Sequence, residues 1–416
     1  MSKLKVYGKN NLYGSLNVDT AKNALLPILA GSLLCDEDII VDKITYYDDI
    51  NKMLDILKSL GVKIKEYEHY VILNASNAGN FEVSQELSGS LRASIFLLGP
   101  LISRLGMAKV YYPGGCNIGS RPINIHLQLL EELGAKILDQ HGYVYVDGKN
   151  MKCGNVHLPF PSVGATENII MASVFLKGTT KIYGCAKEPE IEDLCNFLNS
   201  MGAKIKGGGS DYIEIEGVKR LHSTTYEPIC DRIIAGTYLM LPLICGGEIE
   251  ITNVNTDYLM PLISLIKNNT CKIDLFGDKI TVSSNGKING FGLVETMPYP
   301  HFPTDLQQPL CATSVYGHGT TVIVENLFEN RFKHVPELIK MGAKISVKGR
   351  VCVVEGGCET YGANVCAEDL RGGVALLMAS LGANGYSTIS NADIISRGYF
   401  NLDEKLKKIG AKIEKI

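Results

Sequence analysis

The sequence Leu133-Gly134-Ala135-Lys136-Ile137 recurs with small changes along the whole chain and so indicates a fold built from repeats. Its copies are Leu60-Gly61-Val62-Lys63-Ile64, Met201-Gly202-Ala203-Lys204-Ile205, Met341-Gly342-Ala343-Lys344-Ile345, Ile409-Gly410-Ala411-Lys412-Ile413 and the degenerate Asn269-Thr270-Cys271-Lys272-Ile273. The second positions, 61, 134, 202, 270, 342 and 410, differ by 73, 68, 68, 72 and 68. Such a fixed period predicts six structural repeats of about 70 residues each.

Each repeat has the same predicted order of elements. The glycine is typical of the left-handed residue that ends a helix, and an amphipathic helix precedes it, as in 53–60. A hairpin follows, clearest in Lys204-Ile205-Lys206 and Tyr212-Ile213-Glu214-Ile215. Longer apolar helices and a strand complete the pattern, at Leu91 to Leu101, Asn168 to Leu176, Leu370 to Leu381 and Thr320 to Val324. Each repeat is therefore mixed α and β.

The two ends of the chain complement each other. The sixth repeat stops at residues 412–416 with one hairpin strand missing, while Leu4-Lys5-Val6-Tyr7 reads as a strand without a preceding helix. We infer that the first strand completes the last repeat. The length of 416 residues suits two domains. The prediction is an α/β fold with one domain at 22–229 and a second at 1–21 plus 230–416, each of three repeats.

Composition narrows the class of protein. A net charge of −3 gives no basic footprint for nucleic acid. Apolar runs fall short of the roughly 20 residues that a membrane helix needs, and Met1-Ser2-Lys3-Leu4-Lys5 does not open a signal peptide. A cytosolic protein is expected. The twelve cysteines are scattered singly without zinc-site spacing, so most are expected to be small buried residues.

Polar or charged residues open the longer helix of every repeat. They are Lys22-Asn23, Arg92, Ser162 to Glu167, Asp231-Arg232, Thr304-Asp305 and Asp369-Leu370-Arg371. A helix N-terminus carries about half a positive charge, so Lys22 and Arg92 are unfavourable there unless an anionic ligand compensates. The alternative is that both are solvated helix starts. Gly372-Gly373, beside Arg371, fits either close ligand approach or tight packing.

One cysteine differs from the others. Cys116 lies in the glycine-rich loop 112–122, five residues before Arg121. A thiol beside a cationic group on an exposed loop favours its reactive thiolate form. The alternative, a buried structural cysteine, normally lies within an apolar helix or strand. We therefore identify Cys116 as a candidate reactive residue.

The chain resembles the UDP-N-acetylglucosamine 1-carboxyvinyltransferases from end to end. The motifs that carry the resemblance are Ala21-Lys22-Asn23-Ala24, Arg92-Ala93-Ser94, Pro113-Gly114-Gly115-Cys116, Gly119-Ser120-Arg121-Pro122, Ser162-Val163-Gly164-Ala165-Thr166, Lys187-Glu188-Pro189-Glu190, Phe302-Pro303-Thr304-Asp305, Glu329-Asn330-Arg331-Phe332, Asp369-Leu370-Arg371 and Arg397-Gly398-Tyr399. The shikimate-pathway enolpyruvyl transferase is a more distant relative that lacks the cysteine.

The resemblance implies a two-domain inside-out α/β barrel of six βαβαββ-type repeats, closing on phosphoenolpyruvate and UDP-N-acetylglucosamine in the first committed step of peptidoglycan synthesis. It implies phosphoenolpyruvate contacts from Lys22, Asn23, Arg121, Arg331, Arg371 and Arg397. It implies nucleotide-sugar contacts from Arg92, Arg121, Pro122, Ile123, Asn124, Ile125, Ser162, Val163, Gly164, Asp305 and Leu327. No metal or organic cofactor is expected, no nucleic acid or membrane partner, and a monomer.

The mechanistic hypothesis gives four residues chemical roles. The sugar 3-hydroxyl adds to C2 of phosphoenolpyruvate while Cys116 protonates C3, and phosphate then leaves. Asp305 is the candidate base, and Lys22 and Arg397 stabilise the changing charge. Five positions depart from the family pattern: Asp19, Thr20, Asn124, Phe160 and Ser396. These departures leave open a paralogue that binds or regulates with weak turnover.

Overall fold

The computed structural model describes residues 2–114 and 123–416. It contains two compact units, which we name by their position in the chain. The N-terminal unit comprises residues 20–114 and 123–229, and the C-terminal unit comprises residues 2–19 and 230–416. The predicted domains, 22–229 and 1–21 plus 230–416, stay a prediction.

Strands supply the outer part of each repeat. Within the described residues they are β1 (Lys3–Tyr7), β2 (Leu12–Asn17), β3 (Asp38–Asp42), β4 (Lys63–Glu66), β5 (Tyr70–Asn74), β6 (Glu82–Val83), β7 (Met107–Tyr111), β8 (Lys136–Gln140), β9 (Tyr143–Asp147), β10 (Asn155–His157), β11 (Thr179–Tyr183), β12 (Lys204–Lys206), β13 (Tyr212–Glu216), β14 (Thr224–Tyr226), β15 (Gly247–Thr252), β16 (Cys271–Phe276), β17 (Lys279–Ser284), β18 (Ile288–Asn289), β19 (Gly292–Thr296), β20 (Gly317–Glu325), β21 (Lys344–Lys348), β22 (Val351–Gly356), β23 (Asn364–Cys366), β24 (Tyr386–Ser390) and β25 (Lys412–Lys415).

Helices alternate with these strands. In the same residues they are α1 (Lys22–Gly31), α2 (Asp48–Ser59), α3 (Gln85–Ser90), α4 (Leu98–Leu105), α5 (Asn124–Glu132), α6 (Val163–Ser173), α7 (Pro189–Ser200), α8 (Arg232–Cys245), α9 (Met260–Lys267), α10 (Gln307–Ser314), α11 (Val335–Lys340), α12 (Leu370–Gly382), α13 (Asp393–Ser396) and α14 (Leu402–Lys408). Short 3-10 turns lie at Ser32–Leu34, Arg92–Leu97, Thr256–Leu259 and Thr304–Leu306.

The same sheet recurs in every repeat. One edge strand runs parallel to its neighbour, and an antiparallel hairpin completes the sheet, as in β10-β11-β13-β12. The other orders are β14-β3-β5-β4, β6-β7-β9-β8, β16-β17-β15-β2, β18-β20-β22-β21 with β19 also beside β20, and β23-β24-β1-β25. The predicted six-repeat α/β architecture is confirmed.

Strand β1 lies where the ends of the chain predicted it. It pairs antiparallel with both β24 and β25, and Val6 lies opposite Ser387 and Ile413. The first strand therefore completes the last repeat. A related exchange places β2 parallel to β15 and β14 parallel to β3. Both exchanges keep each sheet within one unit.

The repeated glycines end their helices in the left-handed conformation. The φ angles at Gly61, Gly134, Gly202, Gly342 and Gly410 lie between 97° and 104°. Side chains with a Cβ are strained in this region, and glycine is not. The predicted helix-ending role of these glycines is confirmed.

Buried helices form the centre of each unit. Every residue of α12 is buried, and so are nearly all residues of α1, α6 and α8. A helix that is apolar all round belongs in a core. The sheets, by contrast, alternate buried and accessible residues, as in Tyr143–Asp147. Each unit thus has helices inside and sheets outside.

Within the described ranges, 2–114 and 123–416, no helix is both long enough and apolar enough to span a membrane.

Two predicted helices have different bounds. The segment from Leu91 to Leu101 is a 3-10 turn followed by α4, and Asn168 to Leu176 is the later part of α6, which ends at Ser173. Ser162 explains the earlier start of α6, since its hydroxyl accepts from the Ala165 amide at 3.4 Å.

The expectation that most cysteines are buried is wrong, because only five of the eleven described cysteines are buried and Cys366 is exposed.

Candidate active site

Asp305 is the centre of a charged cluster in the C-terminal unit. It lies in the 3-10 turn that leads into α10. Its Oδ1 accepts from Arg331 Nη2, and its Oδ2 accepts from Arg371 Nη2 at 3.0 Å. Both arginine side chains are buried, at 2% and 4% exposure, whereas that of Asp305 is 28% exposed. The structure therefore brings three predicted site residues together, with the carboxylate as the accessible member.

Helix α12 fixes the position of Arg371. Asp369 caps the helix, since its Oδ1 accepts from the amides of Arg371 at 3.0 Å and Gly372 at 2.9 Å. The guanidinium carbon lies 5.3 Å from the centre of the Tyr399 ring. Burial, the largest single effect, would lower the pKa of Arg371, but Asp305, Tyr399 and Asp231 together outweigh it and the pKa is raised. The guanidinium is thus a permanent cation.

His334 is a buried neutral neighbour of this cluster. Burial lowers its pKa to about 4, opposed by the charge of Asp369 and assisted by that of Arg331. The imidazole therefore adds no positive charge near neutral pH. Tight packing also accounts for Gly372, where a Cβ would lie 3.0 Å from Asp369 and 3.2 Å from His334.

Leu327 and Arg397 are the remaining predicted site residues of the C-terminal unit. Leu327 follows the end of β20 and is half-buried, and Arg397 directly follows α13 and is half-buried too. Both lie in connections that precede a Gly-capped helix, the position that the repeat pattern indicated for Arg397.

Lys22 is the central cation of the N-terminal unit. It is the first residue of α1, and its ammonium donates to Asp49 Oδ2 at 3.1 Å. Both side chains are enclosed, with exposures of 10% and 5%. Tyr47, which is fully buried, donates its hydroxyl to the Thr20 carbonyl at 2.9 Å. This contact ties the residue before α2 to Thr20, two residues before α1, and so holds Asp49 against Lys22.

The other predicted residues of this unit lie at helix starts. Asn23 belongs to the first turn of α1, and Arg92 opens its 3-10 turn. Ile123 is buried before α5, where Asn124 is exposed and Ile125 half-buried. Ser162, Val163 and Gly164 are half-buried at the start of α6. A Cβ on Gly164 would lie 2.9 Å from Phe96 and 3.1 Å from His126, so packing alone requires this glycine.

Cys116, Arg121 and Pro122 lie outside the described residues. The reactive role of the thiol and the two ligand contacts stay predictions.

The starts of the long helices divide into two groups. Ser162, Asp231 and Asp369 cap α6, α8 and α12 with their own side chains. The starts at Lys22, Arg92 and Thr304 instead follow Ala21, Leu91 and Pro303, whose side chains offer no hydrogen-bond acceptor. Side-chain caps therefore satisfy some of the amides at three of the helix starts, whereas the residues before the other three starts provide no such cap.

Three of the departing positions have a structural reason. Asp19 pairs with Lys405, and burial raises its pKa against the opposing charge of that lysine. Thr20 donates its hydroxyl to the Lys43 carbonyl. Ser396 donates to the Asp393 carbonyl at 2.6 Å. Asn124 and Phe160, by contrast, are exposed at helix or loop positions.

Asp49 is a residue that the sequence reasoning missed. Asp48 and Asp49 begin α2, where acidic residues are common because they favour the helix dipole. The pattern gave no reason to choose one of them as the partner of Lys22. Its burial beside the ammonium is visible only in the folded unit.

Each unit therefore presents buried cations of the kind that bind phosphate or carboxylate, and the C-terminal unit adds an accessible carboxylate. Among residues 2–114 and 123–416, no group of three or more His, Cys, Asp or Glu is arranged to hold a metal ion.

Comparison with known proteins identifies what the chain is similar to. The family described as EPSP synthase (3-phosphoshikimate 1-carboxyvinyltransferase) matches residues 6–406. UDP-N-acetylglucosamine 1-carboxyvinyltransferase 2 of Caldanaerobacter subterraneus is 43% identical, and that of Carboxydothermus hydrogenoformans is 44% identical, each over the full length of both chains. The enolpyruvyl transferase NikO from Streptomyces tendae has a TM-score of 0.90 at 24% identity, covering 100% of this chain and 99% of its own. That likeness gives the fold.

Proposed function

Because the chain belongs to the UDP-N-acetylglucosamine 1-carboxyvinyltransferase family, we propose that it transfers the enolpyruvyl group of phosphoenolpyruvate to the 3-hydroxyl of UDP-N-acetylglucosamine. Phosphate is released, and the product enters peptidoglycan synthesis. The observation that carries the proposal is full-length similarity at 43–44% to relatives of that name. The charged clusters support it, since both substrates are anions.

The C-terminal unit supplies the base. Asp305 removes the proton of the 3-hydroxyl as the oxygen bonds to C2 of phosphoenolpyruvate. Its 28% exposure makes the carboxylate reachable, and its two arginine partners keep it oriented. Arg331, Arg371 and Arg397 provide positive charge for the carboxylate and phosphate of the substrate.

Addition and elimination then balance as follows. In the first step C3 of phosphoenolpyruvate gains a proton, for which Cys116 is the proposed donor, while C2 gains the sugar oxygen. In the second step C3 gives a proton to the thiolate that Cys116 became in the first step, the double bond between C2 and C3 is restored, and the electron pair of the C2–O bond leaves with phosphate. Lys22, Asn23 and Arg121 are proposed to hold the phosphate, with Lys22 fixed by Asp49. The proposed contacts of the nucleotide sugar are Arg92, Arg121, Pro122, Ile123, Asn124, Ile125, Ser162, Val163, Gly164, Asp305 and Leu327.

We propose the cytosol as the location of this reaction and the monomer as its active form. No metal or organic cofactor takes part in the proposed chemistry.

Phosphate release tests the substrate assignment. Purified protein is incubated with phosphoenolpyruvate and either UDP-N-acetylglucosamine or shikimate 3-phosphate. The proposal expects release with the nucleotide sugar. Release with shikimate 3-phosphate alone would overturn the acceptor. Tight binding of the nucleotide sugar without release in either mixture would instead identify a binding paralogue.

Substitution of Cys116 tests the acid. Cys116→Ala should lower kcat by about 10²- to 10⁴-fold, the usual contribution of a positioned acid. Cys116→Asp should retain part of the activity, because a carboxyl group can also donate a proton. Full activity of Cys116→Ala would remove the acid role, and Cys366→Ala provides the control at an exposed thiol.

A further inference from the structure

We propose that Glu325 is a positioning residue that sets the distance between the base Asp305 and the nucleotide-sugar contact at Leu327. This inference rests on the proposed function, because it gives Glu325 a purpose only if both residues meet the same substrate. Glu325 is the last residue of β20, and none of its surface is exposed. It belongs to no motif that carried the family resemblance.

The Glu325 carboxylate makes two sets of hydrogen bonds, which we call its branches. The first, the Thr304 branch, connects it to the turn that contains Asp305. Glu325 Oε2 accepts from the Thr304 hydroxyl at 2.8 Å, and Thr304 directly precedes Asp305. The Thr304 carbonyl lies 3.4 Å from Arg331 Nη2, the same nitrogen that donates to Asp305. Thr304 is thus held on both sides. Rotation of the turn would break contacts to two charged groups, which are the stronger kind of hydrogen bond.

The second set of hydrogen bonds, the Leu327 branch, connects the Glu325 carboxylate to the loop that contains Leu327. Glu325 Oε1 accepts from the backbone amides of Leu327 at 2.9 Å and Phe328 at 3.1 Å. Arg350 Nη1 donates to the Asn326 carbonyl at 2.8 Å and closes the other side of this turn. The backbone at Leu327 is therefore fixed by the same carboxylate that fixes Thr304.

Burial explains why this arrangement is specific. A carboxylate without access to water is costly unless hydrogen bonds satisfy both oxygens. The three donors come from segments 21 residues before Glu325 and two and three residues after it. A shift of either segment leaves the carboxylate short of a donor. The two segments therefore move together or not at all, and small misplacements of reacting groups reduce rates strongly.

The two branches predict separable kinetic effects. Loss of the Thr304 branch disturbs Asp305 and should lower kcat, with little change in the KM for UDP-N-acetylglucosamine. Loss of the Leu327 branch disturbs the nucleotide-sugar contact and should raise that KM. A residue with a purely structural role would instead reduce the amount of folded protein and leave both constants of the remainder unchanged.

Four variants separate these possibilities. Thr304→Val removes the hydroxyl alone and should lower kcat about 10-fold. Glu325→Ala removes both branches and should lower kcat and raise KM, each by about 10-fold or more. Glu325→Gln should restore KM, since its carbonyl accepts from both amides while its NH2 donates to the Thr304 hydroxyl. Glu295→Gln, at an exposed carboxylate on neighbouring β19, is the matched control and should behave as the wild type.

Wild-type kinetic constants in folded Glu325→Ala would overturn the proposal, and so would Glu325→Gln as impaired as Glu325→Ala in both constants. If Glu325→Ala does not fold, Thr304→Val decides, because unchanged kcat in that variant contradicts the coupling. Hydrogen exchange of the Leu327 and Phe328 amides separates failure of the proposed function from failure of this inference. Faster exchange in Glu325→Gln than in Glu295→Gln would also contradict it. That measurement remains decisive even if the wild type releases no phosphate.

Discussion

The two units build the same sheet three times each, yet they present their charges differently. In the N-terminal unit the Lys22 ammonium faces the Asp49 carboxylate, and the two side chains are only 10% and 5% exposed. In the C-terminal unit two buried guanidiniums share Asp305, which is 28% exposed. The enclosed carboxylate is paired with a buried cation, whereas the accessible one has the exposure that the proposed base requires.

This difference teaches how a repeated scaffold acquires distinct chemistry. Lys22 and Asp305 both stand at the start of a long helix, so the repeat determines their position. The side chain then determines whether that position offers a cation or a carboxylate. Partners from neighbouring helices, Asp49 and Arg371, complete the charge balance in each case.

The largest expected effect comes from the accessible carboxylate. Asp305→Asn keeps the shape of the side chain but cannot take a proton from the sugar hydroxyl. We expect kcat to fall about 10²- to 10⁴-fold, the usual contribution of a general base. Phosphate release at saturating concentrations of both substrates measures it. Wild-type kcat in Asp305→Asn would abolish the functional contrast between the two units.

Loss of the enclosed carboxylate, Asp49, should mainly lower the stability of the protein. Asp49→Asn removes the negative charge of Asp49 from beside the buried Lys22 ammonium, and we expect a loss of about 3 kcal/mol in the free energy of unfolding. Denaturant titration measures this loss. Asp55→Asn, at an exposed position on the same helix, should change stability by less than about 0.5 kcal/mol. Unchanged stability in Asp49→Asn would show that the Lys22–Asp49 pair is not the closed contact described.

A fall in pH should change the free energy of unfolding in opposite directions through one buried residue of each unit. His334 has its pKa lowered to about 4 by burial, so the unfolded chain binds this proton more readily and stability falls as pH drops from about 6.5 to 4. Asp193, in the N-terminal unit, has its pKa raised to about 6, chiefly by burial. The folded chain therefore binds that proton more readily, and stability rises as pH drops from about 6 to 4.

Each of these contributions reaches at most about 3 kcal/mol over its pH range. Denaturant titrations of His334→Gln and Asp193→Asn at pH 7 and pH 4.5 separate them. The stability of His334→Gln relative to the wild type should increase at pH 4.5, and that of Asp193→Asn should decrease. Shifts of the same sign in both variants would contradict the contrast.

Local signals in the sequence were sufficient for most of the fold. Each helix-ending glycine has one conformational requirement, a positive φ, and a short motif is enough to reveal it. The unpaired strand at each end of the chain likewise predicted the pairing of β1 with β25. The polar opening from Ser162 to Glu167 predicted the start of α6, where Ser162 caps the helix, whereas the apolar pattern alone began only at Asn168.

The pairing of charged side chains in the candidate site could be predicted from the sequence less fully than the fold. Helix starts placed Lys22, Asp305 and Arg371 correctly, but pairing between helices depends on packing. Nothing in the adjacent Asp48 and Asp49 indicates which one faces Lys22. Glu325 resembles any polar residue at the end of a strand until its three donors are seen together.

Mass spectrometry of the nucleotide sugar shows whether the enolpyruvyl group is transferred to the sugar 3-oxygen. UDP-N-acetylglucosamine is incubated with phosphoenolpyruvate and the wild-type protein, and both the nucleotide product and free phosphate are quantified. We expect one enolpyruvyl group on the 3-oxygen of the sugar for each phosphate released, and severe loss of both in Asp305→Asn. Phosphate release without a modified nucleotide, or a modified nucleotide at the wild-type rate in Asp305→Asn, would contradict it.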